Sequence, residues 1–134
     1  MAPAPEETIG IHSDEDVVRV RQVTRQWAVA LGFSLVDQTK IVTAASELAR
    51  NTLIHGGGGT TRLEELTDGG RRGLRLTFED KGPGIADVTQ ALRDGYTSGS
   101  GLGLGLGGAR RLSNTFDITS APGQGTCVRI TRWK

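Results

Sequence analysis

Glycine accounts for 20 of the 134 residues, and its distribution constrains the fold more than any other feature of the chain. The glycines gather at Gly56–Gly59, at Gly69, Gly70 and Gly73, at Gly82 and Gly84, through Gly95–Gly108, and at Gly123 and Gly125. Segments with regular apolar patterning run between them, so the composition is not that of a disordered linker. Clustered glycine of this kind marks loops where the backbone bends sharply or passes close to a ligand.

The patterned segments can be read in order. Thr8–His12 is a candidate strand. Ser13 precedes Asp14, Glu15 and Asp16, an N-cap followed by acids that suit the positive end of a helix dipole. Val17, Val20, Val23, Trp27, Ala28 and Leu31 then recur at helical spacing until Gly32. Ser34 and Asp37 form an acidic variant of the capping box, and a second helix follows to about His55. Its buried side carries Ile41, Ala44, Ala45, Leu48 and Thr52, and Gly56–Gly59 stop it. Thr60–Thr67 and Arg72–Glu79 read as strands joined by Asp68-Gly69-Gly70, a strong hairpin signal. Asp87–Arg93 and Leu104–Asn114 read as helices, and Thr115–Ser120 with Thr126–Trp133 as a closing hairpin. This order predicts an α+β two-layer α/β sandwich, a mixed sheet with helices on one face.

The chain is the size of one domain, with a loose N-terminus over residues 1–8 and a single domain over 9–134. A net charge of +1 with no basic run argues against nucleic acid as a partner. No apolar stretch approaches the ~20 residues that span a bilayer, and Met1–Glu7 lacks a secretory layout. Cys127 is the one cysteine, which excludes an intramolecular disulfide or a thiolate metal site and fits a reducing cytoplasm.

Three groups of residues carry candidate chemistry. Glu47, Asn51 and His55 are four apart and share a stripe of the second helix. An ordinary solvated polar edge gives the same spacing, but Ala44, Ala45, Leu48 and Ala49 crowd Glu47, as they would a tuned base. Asp80-Lys81-Gly82-Pro83-Gly84 follows directly on a buried strand. A carboxylate there accepts from an exocyclic amine such as that of adenine, and Gly82 and Gly84 let the backbone pass close to a flat base. A plain tight turn satisfies the same motif. Gly99–Gly108 alternates glycine with leucine ahead of a helix, which frees N–H groups for phosphate oxygens. A dinucleotide fingerprint needs a strand just before it, and Arg93–Ser98 reads as loop; the Walker sequence is absent. Gly123-Gln124-Gly125-Thr126 is weak alone.

Together, E-x-x-x-N on a helix, D-x-G-x-G after a strand, G-x-G-L-G-L before a helix and a late G-x-G-T resemble the GHKL ATPase/kinase superfamily, in its motif order, from Glu47 to Thr126. That superfamily has the Bergerat ATP-binding fold. Within it, Ser46–Asn51 and Ile54-His55-Gly56, with the compact Asp94–Gly103 segment and the Trp133 ending, resemble the small bacterial anti-sigma and switch-protein serine kinases, most of all the stressosome switch kinases. The resemblance covers nearly the whole chain from Ile9.

The resemblance implies a cytoplasmic protein that binds ATP and Mg²⁺ and phosphorylates a serine or threonine on STAS-domain scaffold or antagonist proteins. It would then engage a downstream effector such as a PP2C-type phosphatase. The alternative is an ATP-binding anti-sigma factor that sequesters a sigma factor. Carried over by motif, Asn51 ligates Mg²⁺, and Glu47 orients or deprotonates the attacking hydroxyl. Asp80 reads the adenine amine with Thr126 assisting, and Gly82 and Gly84 pass beside the base. Gly101, Leu102, Gly103, Leu104 and Gly105 wrap the phosphates, with Thr97 and Ser98 in the lid. No lysine or arginine lies between Gly95 and Ala109, so neutralisation of the γ-phosphate falls to Mg²⁺, backbone N–H groups, Arg50 or the partner.

Overall fold

The computed structural model describes residues 6–85, 92 and 105–134. Its elements are β1 (Glu6–Ile11), α1 (Asp14–Ala30), α2 (Leu35–Ile54), β2 (Gly59–Asp68), β3 (Arg71–Asp80), α3 (Gly105–Arg111), β4 (Thr115–Ser120) and β5 (Thr126–Trp133). The five strands form one sheet in the order β1-β2-β3-β5-β4. The expected helix at Asp87–Arg93 and the Asp94–Gly103 segment lie outside the described residues, apart from Leu92.

Both helix starts follow from their caps. Ser13 Oγ accepts from Asp16 N and Ser34 Oγ accepts from Asp37 N, each relieving an orphan donor of the first turn. The β2–β3 turn is set by Gly69 (φ 58°) and Gly70 (φ 84°), the two positive-φ residues that a two-residue hairpin loop with matching twist requires. The strands alternate so that Ile9, Ile11, Leu63, Leu74, Leu76, Phe78, Val128 and Ile130 face the helices and are buried. Against them lie Val17, Val20, Val23 and Ala28 of α1 and Ile41, Ala44, Ala45 and Leu48 of α2, the stripes the periodicity predicts. Removing a side chain from such a core costs about 2–5 kcal/mol for a leucine.

The α+β two-layer sandwich with helices on one face is borne out. Two expectations need correction. The sheet, expected to be mixed, has four strand pairings and each is antiparallel, because its strands are supplied largely as two hairpins. Glu6 and Glu7, expected to belong to the loose N-terminus, begin β1 ahead of the expected strand start at Thr8: Glu6 pairs with Glu64, Glu7 with Leu63 and Thr8 with Arg62. Trp27 helps hold this edge by donating from Nε1 to Glu7 Oε1 at 3.0 Å.

One long-range tie was not visible in the pattern. Asp37, at the start of α2, receives Arg132 of β5 at 2.6 Å, and Arg132 also donates to Leu112 O at 3.0 Å. The guanidinium bonded to Asp37 holds its carboxyl below the usual carboxylate range despite partial burial. On the sheet face away from the helices, Trp133 packs over Gly73 with Arg71 5.1 Å from its ring centre.

Candidate functional site

The site is built where the C-terminal half of α2 meets the strand ends. Register places Gly59, Asp80, Thr126 and Ser120 in one row across β2, β3, β5 and β4. Asp80, Thr126 and Ser120 have the parity of Phe78, Val128 and Ile118, so all three face the helices. Asp80 Oδ1 accepts from Gly82 N at 2.9 Å, which fixes one carboxylate oxygen and turns the chain at the end of β3. The backbone then comes against the β4–β5 turn. Gly123 N donates to Pro83 O at 2.7 Å, and Ile85 N donates to Ser120 Oγ at 2.8 Å. A side chain at Gly84, which has φ 77°, would run into the carbonyl of Ala121. The D-x-G-x-G and G-x-G-T motifs are therefore two sides of one junction.

Helix α2 is brought to this junction by its own ending. Asn51 O accepts from both His55 N (2.9 Å) and Gly56 N (3.2 Å), and the chain then turns so that Gly56 lies flat against Asp80. A Cβ at Gly56 would stand 2.6 Å from Asp80 Oδ2 and 2.5 Å from its Cβ. At Gly59 a Cβ would meet Thr52 and the carbonyl of Glu79. The glycine run after α2 thus does more than stop a helix: it lets the helix end approach the carboxylate.

Glu47 and Asn51 are half-buried on α2, one turn apart, with Leu48, Ala49 and Thr52 beneath them buried in the core. Glu47 Oε2 accepts from Gly105 N at 3.4 Å, which links the α2 stripe to the start of α3 and to the end of the glycine–leucine segment. Gly105 itself is buried and has φ 67°. His55 is exposed at the C-cap of α2.

The structure thus brings together Asp80, Gly82, Gly84 and Thr126 at the strand ends, and Glu47 with Gly105 at the helix side; Asn51 lies between. Gly101, Leu102, Gly103, Leu104, Thr97 and Ser98 lie outside the described residues. Two participants escaped the sequence reading, Gly56 and Ser120. Gly56 carries no site role in the sequence reading, where it stops the helix and forms part of Ile54-His55-Gly56, and Ser120 is an ordinary strand-end serine with no spacing signal. A cleft of about 490 Å³ adjoins this site on the β1–β2 side, lined by His12, the Gly56–Gly59 run, Thr60, Glu79, Asp80 and Lys81.

Among the described residues no three His, Cys, Asp or Glu side chains converge as a metal centre. The oxygen donors on the stripe suited to a hard cation are the Asn51 amide and the Glu47 carboxylate, the latter already accepting from Gly105 N. Such a donor set fits Mg²⁺, which keeps several waters and takes substrate phosphate oxygens. No helix among the described residues is long and apolar enough to cross a membrane.

Comparison with known proteins gives relatives over most of the chain. Residues 12–132 match the histidine kinase-like ATPase domain family. The chain is 42% identical over 125 residues to the serine/threonine-protein kinase RsbT of Bacillus subtilis (strain 168), covering 93% of this chain and 94% of that protein. It is 27% identical over 119 residues to the anti-sigma F factor of Thermoanaerobacter sp. (strain X514), covering 84% of this chain and 82% of the relative. Among solved structures, that of the RsbU and RsbW domains of Rv1364c from Mycobacterium tuberculosis superposes over 99% of this chain with a TM-score of 0.67 and 22% identity. The chain spans 34% of that larger protein, and at this identity the likeness is one of fold.

Proposed function

This chain belongs to the histidine kinase-like ATPase domain family, and we propose that it acts as an ATP-dependent protein serine/threonine kinase of a bacterial partner-switching pathway in the cytoplasm. The observation that carries this reading is the end-to-end correspondence with a protein named as a serine/threonine kinase. The meeting of Asp80, Gly82, Gly84 and Thr126 at the strand ends, and of Glu47 with Gly105, supports it.

In this reading the adenine 6-amino group donates to Asp80, with the Thr126 hydroxyl beside it, while Gly82 and Gly84 leave room along the ring. Asn51 would hold Mg²⁺, which supplies charge neutralisation at the phosphates. Gly101, Leu102, Gly103 and Leu104 would complete a phosphate wrap that ends at Gly105. Glu47 faces the same space, oriented by the Gly105 N–H. It would take the proton of a serine or threonine hydroxyl on the partner as that oxygen bonds to the γ-phosphorus. The bond from phosphorus to the β,γ-bridging oxygen breaks at the same time, leaving ADP and a phosphoprotein. Arg50 is exposed at the neighbouring position of α2 and can lend charge to the phosphates.

STAS-domain scaffold or antagonist proteins are the proposed substrates, with a PP2C-type phosphatase or similar regulator downstream. The anti-sigma F relatives favour a second reading, an ATP-binding protein that sequesters a sigma factor. Incubating the protein with γ-labelled Mg·ATP and a panel of STAS-domain and sigma-factor proteins separates the two. Label on a STAS serine or threonine supports the kinase. A stable sigma-factor complex with nucleotide bound and no transfer overturns it in favour of sequestration.

A further inference from the structure

We infer that Ser120, which belongs to none of the sequence motifs, sets the direction of the Thr126 hydroxyl and so makes the base-reading edge accept hydrogen bonds only, admitting a 6-amino purine and rejecting a 6-oxo purine. This rests on the reading of Asp80 and Thr126 as the pair that meets the base.

Ser120 ends β4 next to Thr126 in register, and Thr126 is in turn next to Asp80. Three polar groups surround its Oγ: Ile85 N at 2.8 Å, Gly125 O at 3.0 Å and Thr126 Oγ1 at 2.8 Å. A serine hydroxyl has one proton to give and two lone pairs to receive with. The Ile85 N–H can only donate, so it occupies one lone pair. The Gly125 carbonyl can only accept, so it takes the one proton. What Ser120 has left for Thr126 is a lone pair, and Thr126 must be the donor of the bond between them.

The consequence falls on the nucleotide. With its proton committed to Ser120, the Thr126 hydroxyl can only accept from anything else that reaches it. Asp80 is a carboxylate, an acceptor, and its Oδ1 already receives Gly82 N. The two neighbouring side chains therefore both require a donor. A 6-amino group meets both, directly or through a shared water, whereas a 6-oxo group would set lone pairs against lone pairs. Ser120 does this without touching the base, as a positioning residue. It is itself anchored, since Ile85 and Gly125 belong to the two loops that form the junction.

The test compares Mg·ATP with Mg·ITP, whose base carries a 6-oxo group, by calorimetric titration of the full chain. The variants are Ser120→Ala, Ser120→Thr and Asp80→Ala. The wild-type protein prefers ATP. In S120A the Thr126 proton is released to turn toward a 6-oxo group, and the ATP/ITP preference falls roughly tenfold, the size expected for one hydrogen-bond polarity. S120T keeps the hydroxyl and restores the preference. A purely structural role for Ser120 would weaken both nucleotides alike and leave their ratio unchanged. Should S120A fail to fold, Ser120→Cys keeps the volume with only a weak acceptor and carries the same expectation. If D80A leaves the preference intact, the base-reading assignment itself fails. If D80A abolishes it while folded S120A or S120C keeps the wild-type ratio, the inference about Ser120 is overturned and the assignment stands.

Discussion

Replacing Gly56 by alanine tests how tightly the end of α2 is fitted to Asp80, the carboxylate proposed to read the base. Gly56 is not among the positive-φ glycines, so alanine adds no backbone strain there. The cost falls on Asp80 instead. The new methyl would stand 2.5 Å from Asp80 Cβ and 2.6 Å from Oδ2, roughly 1 Å inside the ordinary carbon contact of about 3.5 Å. The close atoms are Asp80 Cβ, Cγ and Oδ2. The carboxylate can swing away, but Cβ is fixed by the backbone, so the end of α2 and the end of β3 must also move apart. The swing breaks the carboxylate's bond from Gly82 N and removes the acceptor from the base. A hydrogen bond to a charged group contributes about 1.5–3 kcal/mol, so ATP affinity should fall by about 10- to 100-fold. Thermal stability should fall as well, by about 1–3 kcal/mol, the usual cost of forcing packed backbone apart. Isothermal titration with ATP, beside a melting curve, measures both. A G56A protein that binds ATP as the wild type does would refute the argument that Gly56 is empty for the sake of Asp80.

Other outcomes follow from the same structure. Glu47→Gln keeps an acceptor for Gly105 N, so nucleotide binding should persist while phosphoryl transfer drops by about 10²- to 10⁴-fold; equal loss of both would argue against a base. Asn51→Ala should erase most of the gain in ATP affinity that Mg²⁺ gives, read by titration with and without the metal. The lowered Asp37 carboxyl contributes stability above its usual value of 3.8 and loses it as pH falls through the lower folded value. Asp37→Asn should therefore cost about 1 kcal/mol near neutrality, and urea melts should converge with the wild type in acid; a difference constant with pH would contradict the Arg132 tie. Burial, and then the Glu79 charge, push the Cys127 thiol upward, so it should react with a disulfide reagent more slowly than an exposed cysteine at neutral pH.

Much of this architecture was legible because local chemistry and global packing agree. Ser13 and Ser34 cap the helices that follow them, and the Val17–Leu31 and Ile41–Thr52 stripes bury as their spacing requires. The closing strands Thr115–Ser120 and Thr126–Trp133 also match the structure. Strand direction was harder, since periodicity reports which face a residue takes and says nothing of which neighbour its strand pairs with. The N-terminal boundary was set too late because Glu6 and Glu7 look like tail composition, whereas β1 pairing and the Trp27 bond to Glu7 draw them into the sheet. In the candidate site, Asp80, Gly82, Gly84 and Thr126 stand out in the sequence by motif, and the structure brings them to one junction. Gly56 and Ser120 were missed because their importance lies in contacts across 24 residues of chain from Gly56 to Asp80, and 35 from Ile85 to Ser120, which no local pattern records. The Asp37–Arg132 pair, 95 residues apart, was hidden for the same reason.

The central claim is that one site, formed by α2 and the strand ends, both holds ATP and passes its γ-phosphate to a protein. The direct measurement is a single-turnover assay with γ-labelled Mg·ATP prebound to the protein, chased with an excess of a STAS-domain partner, with E47Q run in parallel. The account predicts that label leaves the wild-type site for a partner serine or threonine, while E47Q holds its ATP unspent. Label released as inorganic phosphate at the same rate with and without partner, or transferred by E47Q as fast as by the wild type, would contradict it.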